Sequence, residues 1–242
     1  MVPQDLVDQV GYFAGHYADV WRLINPQDWT DGEVSFVASR LPRPSAVLDV
    51  MCGHGRHAQA LAGRGLDVTG VDVHAWDGDA AGAGWARVVA DVTTWAPERT
   101  WDAALCLGNS LTGFDRAQLI SLLGRMRTWV RHDGLLIFQA WTVTEVVYRR
   151  GFEPVSFTVG DYNCELSGDV HLRPTRILYH QRILRDGAVL ETLKSVHYLY
   201  SANELEALLH EAGFQVEDIF GDSDGRPFTF GDMQLLFVAR AA

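Results

Sequence analysis

Val47-Leu48-Asp49-Val50-Met51-Cys52-Gly53-His54-Gly55-Arg56-His57 is an apolar run that closes on an acidic residue, turns through two glycines and opens a helix. That is the outline of a nucleotide-binding loop. Gly53 and Gly55 let the backbone turn tightly and let a ligand lie against bare peptide, while amides at the start of the next helix face whatever is bound. The carboxylate of Asp49 opposes a phosphate at this turn and favours a ligand with an amino group or a sulfonium centre.

Two further runs repeat the pattern. Leu66-Asp67-Val68-Thr69-Gly70-Val71-Asp72 reads as a second strand ending in an aspartate, where a carboxylate accepts both ribose hydroxyls of an adenosine. Arg87-Val88-Val89-Ala90-Asp91-Val92 is a third, with Asp91 suited to the adenine amine, and Trp101 to Ser110 supplies a fourth strand running into a small polar turn. S-adenosylmethionine carries the amino group, the sulfonium and the adenosine that these carboxylates suit.

On Asp49 to His57, Gly70-Val71-Asp72 and Leu107-Gly108-Asn109-Ser110, the chain resembles class I S-adenosylmethionine-dependent methyltransferases. Within them it is similar to the small-molecule branch of glycine, sarcosine and amino-sugar N-methyltransferases and their natural-product relatives. The resemblance implies a doubly wound α/β Rossmann-like sheet with a C-terminal antiparallel hairpin, and transfer of a methyl group to a small-molecule acceptor, nitrogen favoured over oxygen. It places the cofactor on Asp49, Met51, Gly53, Gly55, Arg56, His57, Asp72, Val73, Asp91, Val92, Leu107, Asn109 and Ser110, with Tyr17 and Trp21 closing from an N-terminal helix. Other readings stay open. Gly53 to Ala58 also fits the GxGxxA form of a dinucleotide fingerprint, with Asp72 as the ribose acid of an NAD-linked oxidoreductase. A non-catalytic nucleotide-binding module and a natural-product O-methyltransferase fit the same loop.

The 242 residues, 48% of them hydrophobic, suffice for one α/β domain with an insertion. A net charge of −11 opposes a nucleic-acid partner. Apolar runs such as Leu135 to Phe138 are far shorter than the ~20 residues that cross a bilayer, so neither membrane nor export is expected, and the reading is cytoplasmic. Cys52, Cys106 and Cys164 have no metal-ligand spacing, and no metal is expected. Oligomeric state is not set by the sequence, which leaves a homo-oligomer open.

One domain spanning 1–242 is expected, in four parts: an N-terminal helical cap (1–40), a cofactor-binding core (41–151), an antiparallel β insertion over the substrate site (152–200) and the end of the core (201–242). Leu6, Val10, Phe13, Tyr17, Val20, Trp21 and Ile24 repeat at helical steps over 4–25, and a shorter helix is expected over 33–40. The core alternates strands at 46–50, 67–71, 87–90, 102–107 and 134–139 with helices at 56–64 and 115–131, an order that argues a parallel sheet. His74 to Gly84, rich in glycine and alanine, stands where the resembled family has a longer helix. Asp186-Gly187 between two alternating runs is a hairpin turn, Ser201 to Glu204 is a capping box, and 215–220 and 234–239 form the closing strands.

Tyr17 and then Tyr12 are the catalytic candidates, since a phenol has a polar end to place near a methyl group. Tyr12, Asn109, Leu111, Phe114, Trp141 and His180 are the candidates for the acceptor. Tyr179, His180, Arg182 and His197 alternate along the insertion strands, so only some face inward, and Arg173, Arg176 and Arg226 are available to an anionic group.

Overall fold

The strand that feeds the glycine turn, β1 (Ala46–Val50), sends alternate side chains into two different cores. The computed structural model describes residues 10–25, 27–76, 84–141, 143–150 (148–150 by backbone alone) and 153–242. After β1 come α3 (Arg56–Ala62), β2 (Asp67–Asp72), β3 (Ala86–Val89), β4 (Trp101–Cys106), α4 (Arg116–Trp129) and β5 (Val130–Ala140). Before it lie α1 (Gly15–Ile24) and α2 (Gln27–Ala38), and the chain ends with α6 (Ala202–Glu211), β10 (Phe214–Phe220) and β11 (Leu235–Ala241).

These strands form one seven-stranded sheet in the order β10-β11-β5-β4-β1-β2-β3. Five strands are parallel, and β11 runs antiparallel to both β5 and β10. Period-two alternation divides the apolar residues between the faces. Val47, Ala103, Leu105, Ile137 and Val238 pack with Val34, Val37, Ala58 and Leu61 of α2 and α3. Leu48, Val50, Ala104, Leu136 and Phe237 pack with Leu119, Leu122 and Met126 of α4 and Leu205 and Leu209 of α6. Strand order reverses between β1 and β4, so the connections leaving their carboxyl ends diverge and open a crevice, the usual ligand position in such sheets.

A second sheet is antiparallel: β6 (Val155–Val159), β7 (Tyr162–Leu172), β8 (Thr175–Arg185) and β9 (Ala188–Tyr198). Asp186 and Gly187 both have positive φ, 51° and 79°, as the two-residue turn between β8 and β9 requires.

Several helices differ from the sequence expectation. Residues 4–9 of the expected first helix lie outside the described residues; of the rest, Gly11–Phe13 is a single tight turn, Ala14 is extended and only Gly15–Ile24 is α-helical. Helix α2 begins well before residue 33 and runs through Gly32, whose missing side chain admits Ser223: a Cβ there would lie 2.9 Å from its hydroxyl. Helix α5 (Thr144–Arg150) was not expected; Val146 and Val147 have poor helix propensity, and the burial of both overrides it. Of the glycine-rich stretch after Asp72, residues 77–83 lie outside the described residues.

Candidate active site

Two left-handed residues mark the rim of the crevice: Met51, φ 57°, after β1 and Asn109, φ 72°, after β4. Strained backbone of this kind collects at functional sites. Gly53 and Gly55 complete the first turn with φ of 57° and 92°, and a Cβ on Gly55 would lie 2.4 Å from the Trp85 ring. The turn, the end of β4 and the antiparallel sheet enclose a cavity of about 1270 Å³. That exceeds the ~300–1,000 Å³ of an ordinary small-ligand site, room for two ligands side by side.

Most of the sequence candidates converge here. Met51, Gly53, Arg56 and His57 line the cavity from the glycine turn and the start of α3, Asp72 and Val73 from the end of β2, and Asp91 and Val92 from beyond β3. Leu107, Asn109, Ser110 and Phe114 line it after β4, Trp141 after β5, and Tyr12, Tyr17 and Trp21 from the N-terminal segment. Four candidates lie elsewhere. Asp49 and Gly55 sit behind the turn, and Leu111 is 2% exposed among the core residues beside α4. His180 is off the cavity wall and pairs with Asp169 at 3.1 Å, on the face of β8 opposite to Ile177, Gln181 and Ile183; Arg176, of the same parity but near the start of the strand, still lines the cavity.

The carboxylates divide into engaged and open. Asp72 accepts from Gly53 N at 2.8 Å, His74 N at 2.9 Å and Trp76 Nε1 at 3.1 Å, so it fixes the glycine turn across the strand ends. Asp49 is 1% exposed; burial raises its pKa against the pull of His57 and Arg56, and its Oδ2 has no hydrogen-bond partner among the described residues. Buried polar atoms are rarely left so; behind the turn and off the cavity wall, this carboxylate acts on a ligand at the turn through its field and not by contact. Asp91 is exposed at the opposite rim, its Oδ1 taken by Thr93.

Aromatic rings form the wall nearest α1. Tyr17 stacks on Trp21 at 6.0 Å and 12°, Trp21 meets Trp141 at 6.0 Å, and Tyr12 lies 4.6 Å from Tyr17. Such a wall suits a cation. Burial pushes both phenols well above their ordinary pKa, so neither is a phenolate at neutral pH. Tyr12 donates to Gln181 Oε1 at 2.5 Å, which ties the N-terminal segment to β8.

Two residues stand outside the sequence candidates: His197, named only as one of four alternating insertion side chains, and Glu33. His197 lines the cavity from β9: its Nδ1 lies 3.0 Å from Thr112 Oγ1 and 3.3 Å from Asn109 Nδ2, and its ring stands edge-on to Tyr179. Burial lowers its pKa to about 4, which keeps the imidazole neutral. Strand parity would have separated His197 from His180, but both parities of β8 carry leucine or isoleucine, and the inward face was not legible. Glu33 is 5% exposed under α3 and had no motif to mark it. Of the three candidate arginines, Arg226 is paired with Asp222 and Asp232 and Arg173 is exposed, whereas Arg176 is 7% exposed on the cavity wall opposite Tyr198.

A family model described as a methyltransferase domain matches residues 26–219. No match was found among curated proteins. Among solved structures, the CcbJ methyltransferase of Streptomyces caelestis superposes with a TM-score of 0.77 at 20% identity, over 90% of this chain and 97% of that one. An S-adenosylmethionine-dependent methyltransferase of Clostridium acetobutylicum gives 0.77 at 15% identity over 95% and 98%. CalS10 of Micromonospora echinaspora, an amino pentose methyltransferase solved with S-adenosylmethionine, gives 0.71 at 18% over 95% and 98%. Sheet order, crevice and family model agree, and the chain belongs to the methyltransferase-domain family, as an enzyme that uses S-adenosylmethionine.

Proposed function

We propose that this enzyme methylates the nitrogen of a small amine held against His197. The observation that carries the reading is that His197, Tyr12 and Tyr17, which line the cavity from β9 and the N-terminal segment, are weak bases. His197 is neutral with a pKa of about 4, and both Tyr12 and Tyr17 are held in the phenol form. An alcohol needs a strong base to become a nucleophile, whereas an amine needs only to arrive unprotonated. Neutrality at His197 also spares the sulfonium a like charge.

S-adenosylmethionine supplies an electrophilic methyl group, and the residues named from the glycine turn, Asp72, Asp91 and the Asn109 turn would hold it. The protein's own task is to aim and dry the nucleophile. Thr112 Oγ1 lies 2.9 Å from the carbonyl of Asn109, to which it donates. In the tautomer that carries its proton on Nδ1, His197 donates to Thr112 Oγ1, the shorter of its two contacts, and Asn109 Nδ2 at 3.3 Å is a contact without a hydrogen bond; Nε2 then keeps a lone pair that accepts an amine N–H. The amine lone pair is then free to face the methyl group. Tyr17, Trp21 and Trp141 exclude water around it.

Arg176 extends the reading to the acceptor's other end. Among the described residues neither its guanidinium nor the neighbouring Tyr198 hydroxyl has a hydrogen-bond partner, and both residues line the cavity. An unpaired buried cation is costly, and a carboxylate or phosphate on the acceptor would complete it.

The test pairs primary and secondary amines with their hydroxyl analogues under labelled S-adenosylmethionine, with product NMR locating the methyl group. N-methyl products alone are expected. Methyl on oxygen overturns the proposal. His197→Gln is expected to lower kcat by roughly tenfold to a hundredfold with S-adenosylhomocysteine affinity within about twofold of the parent.

A further inference from the structure

Three pieces of cavity wall that are far apart in sequence meet, through hydrogen bonds, at one carboxylate on α2. Glu33 Oε2 accepts from Arg56 Nη1 at 2.5 Å and lies 2.8 Å from His57 Nε2, so it grips the first turn of α3 just after the glycine turn. Thr30, one turn earlier on α2, meets the same Arg56 nitrogen at 2.9 Å. Glu33 Oε1 accepts from Gln139 Nε2 at 2.9 Å, and Gln139 Oε1 in turn accepts from Gly108 N at 2.9 Å, in the turn after β4. From Gln139 Nε2 the path continues to Gln234 Oε1 at 2.7 Å, which also accepts from Trp141 Nε1 at 3.1 Å.

We infer that Glu33 is a positioning residue that sets the glycine turn on the methyl-donor side and Trp141 on the facing wall from a single buried anion. Glu33 itself is absent from the cavity wall, while Arg56, His57, Gly108 and Trp141 are on it. Every link is a directional bond at 2.5–3.1 Å, and both oxygens of the carboxylate are used. The charge is maintained: burial favours the neutral acid, but bonds from His57 and Arg56 outweigh it and take the pKa to about 2. A neutral amide in its place offers Arg56 no counter-charge, and the side chain that opens α3 loses its fixed direction. Movement at Gln139 reaches Gly108 and Trp141 because Gln139 and Gln234 each bond on two sides. This role needs the methyl-donor site alone, and it stands or falls independently of whether the acceptor atom is nitrogen.

The test measures S-adenosylhomocysteine affinity by calorimetry and follows the Trp141 indole N–H resonance, identified by its loss in Trp141→Phe. Glu33→Gln is expected to weaken S-adenosylhomocysteine binding at least tenfold and to shift the Trp141 resonance in a chain that still unfolds cooperatively. Gln234→Leu removes the acceptor shared by Gln139 and Trp141 and leaves the bonds of Glu33 in place: the resonance moves and the affinity stays within twofold. A folded Glu33→Gln chain with affinity within twofold of the parent overturns the assignment, as does a Trp141 resonance unmoved in Gln234→Leu. Should Glu33→Gln not fold, Gln139→Leu, which leaves the Glu33–Arg56 pair in place, carries the test. Both readouts are then expected to change, and neither changing overturns it.

Discussion

At the scale of single residues, burial decides which groups are charged. His197 is held neutral, so its ring resonances are expected to show no protonation at pH 5.5, and a midpoint near 6.5 in an NMR titration would contradict its placement. The sign for stability follows: the unfolded chain takes up a proton below pH 6.5 while the folded chain does not until about 4, so this site weakens the fold as pH falls through that interval. Glu33 is depressed instead, from 4.5 to about 2. Its contribution, at most a few kcal/mol, is complete above pH ~5 and is lost as the pH falls toward 2, so the parent's melting temperature should drop further than that of Glu33→Gln between those limits. For Asp72, Asp72→Ala is expected to weaken S-adenosylmethionine binding by on the order of 1–3 kcal/mol in calorimetry. The three donors already on that carboxylate mean that the loss includes the setting of the glycine turn as well as any ligand bond.

Elements with local signals were read from the sequence to within a few residues. Ser201 and Glu204 form the reciprocal cap of α6, and Asp186-Gly187 turns β8 into β9, because each bond lies within four residues of its partner. Ser201→Ala is expected to cost about 1 kcal/mol, seen as a melting temperature lower by roughly 2–4 °C, with methyl transfer retained. A capping box at Asp115 and Gln118 opens α4 in the same way. Elements set by distant contacts were not legible. Helix α5 forms against its propensity because Val147 packs on Ile177 of the second sheet and Leu199 just beyond β9, and the break at Ala14 allows Tyr12 to reach Gln181, 169 residues away.

For the molecule as a whole, the site lies where parallel-strand order reverses, and binding there should favour the folded chain alone. At one hundred times its dissociation constant, S-adenosylhomocysteine should add ~2.7 kcal/mol, a rise of several degrees in melting temperature, while NAD at the same concentration should add nothing. A shift with NAD would reopen the dinucleotide reading of the glycine turn. The sequence alone determined the parallel sheet, the closing antiparallel hairpin and the glycine turn at the mouth of the crevice, since period-two alternation and glycine turns are local in the chain. Only the tertiary structure decided that His197 and Arg176 face the cavity while His180 does not, and that Glu33 ties α3 to Trp141. Strand parity is ambiguous where both faces carry apolar residues, and a buried hydrogen-bond network spanning residues 30 to 234 leaves no spacing to read.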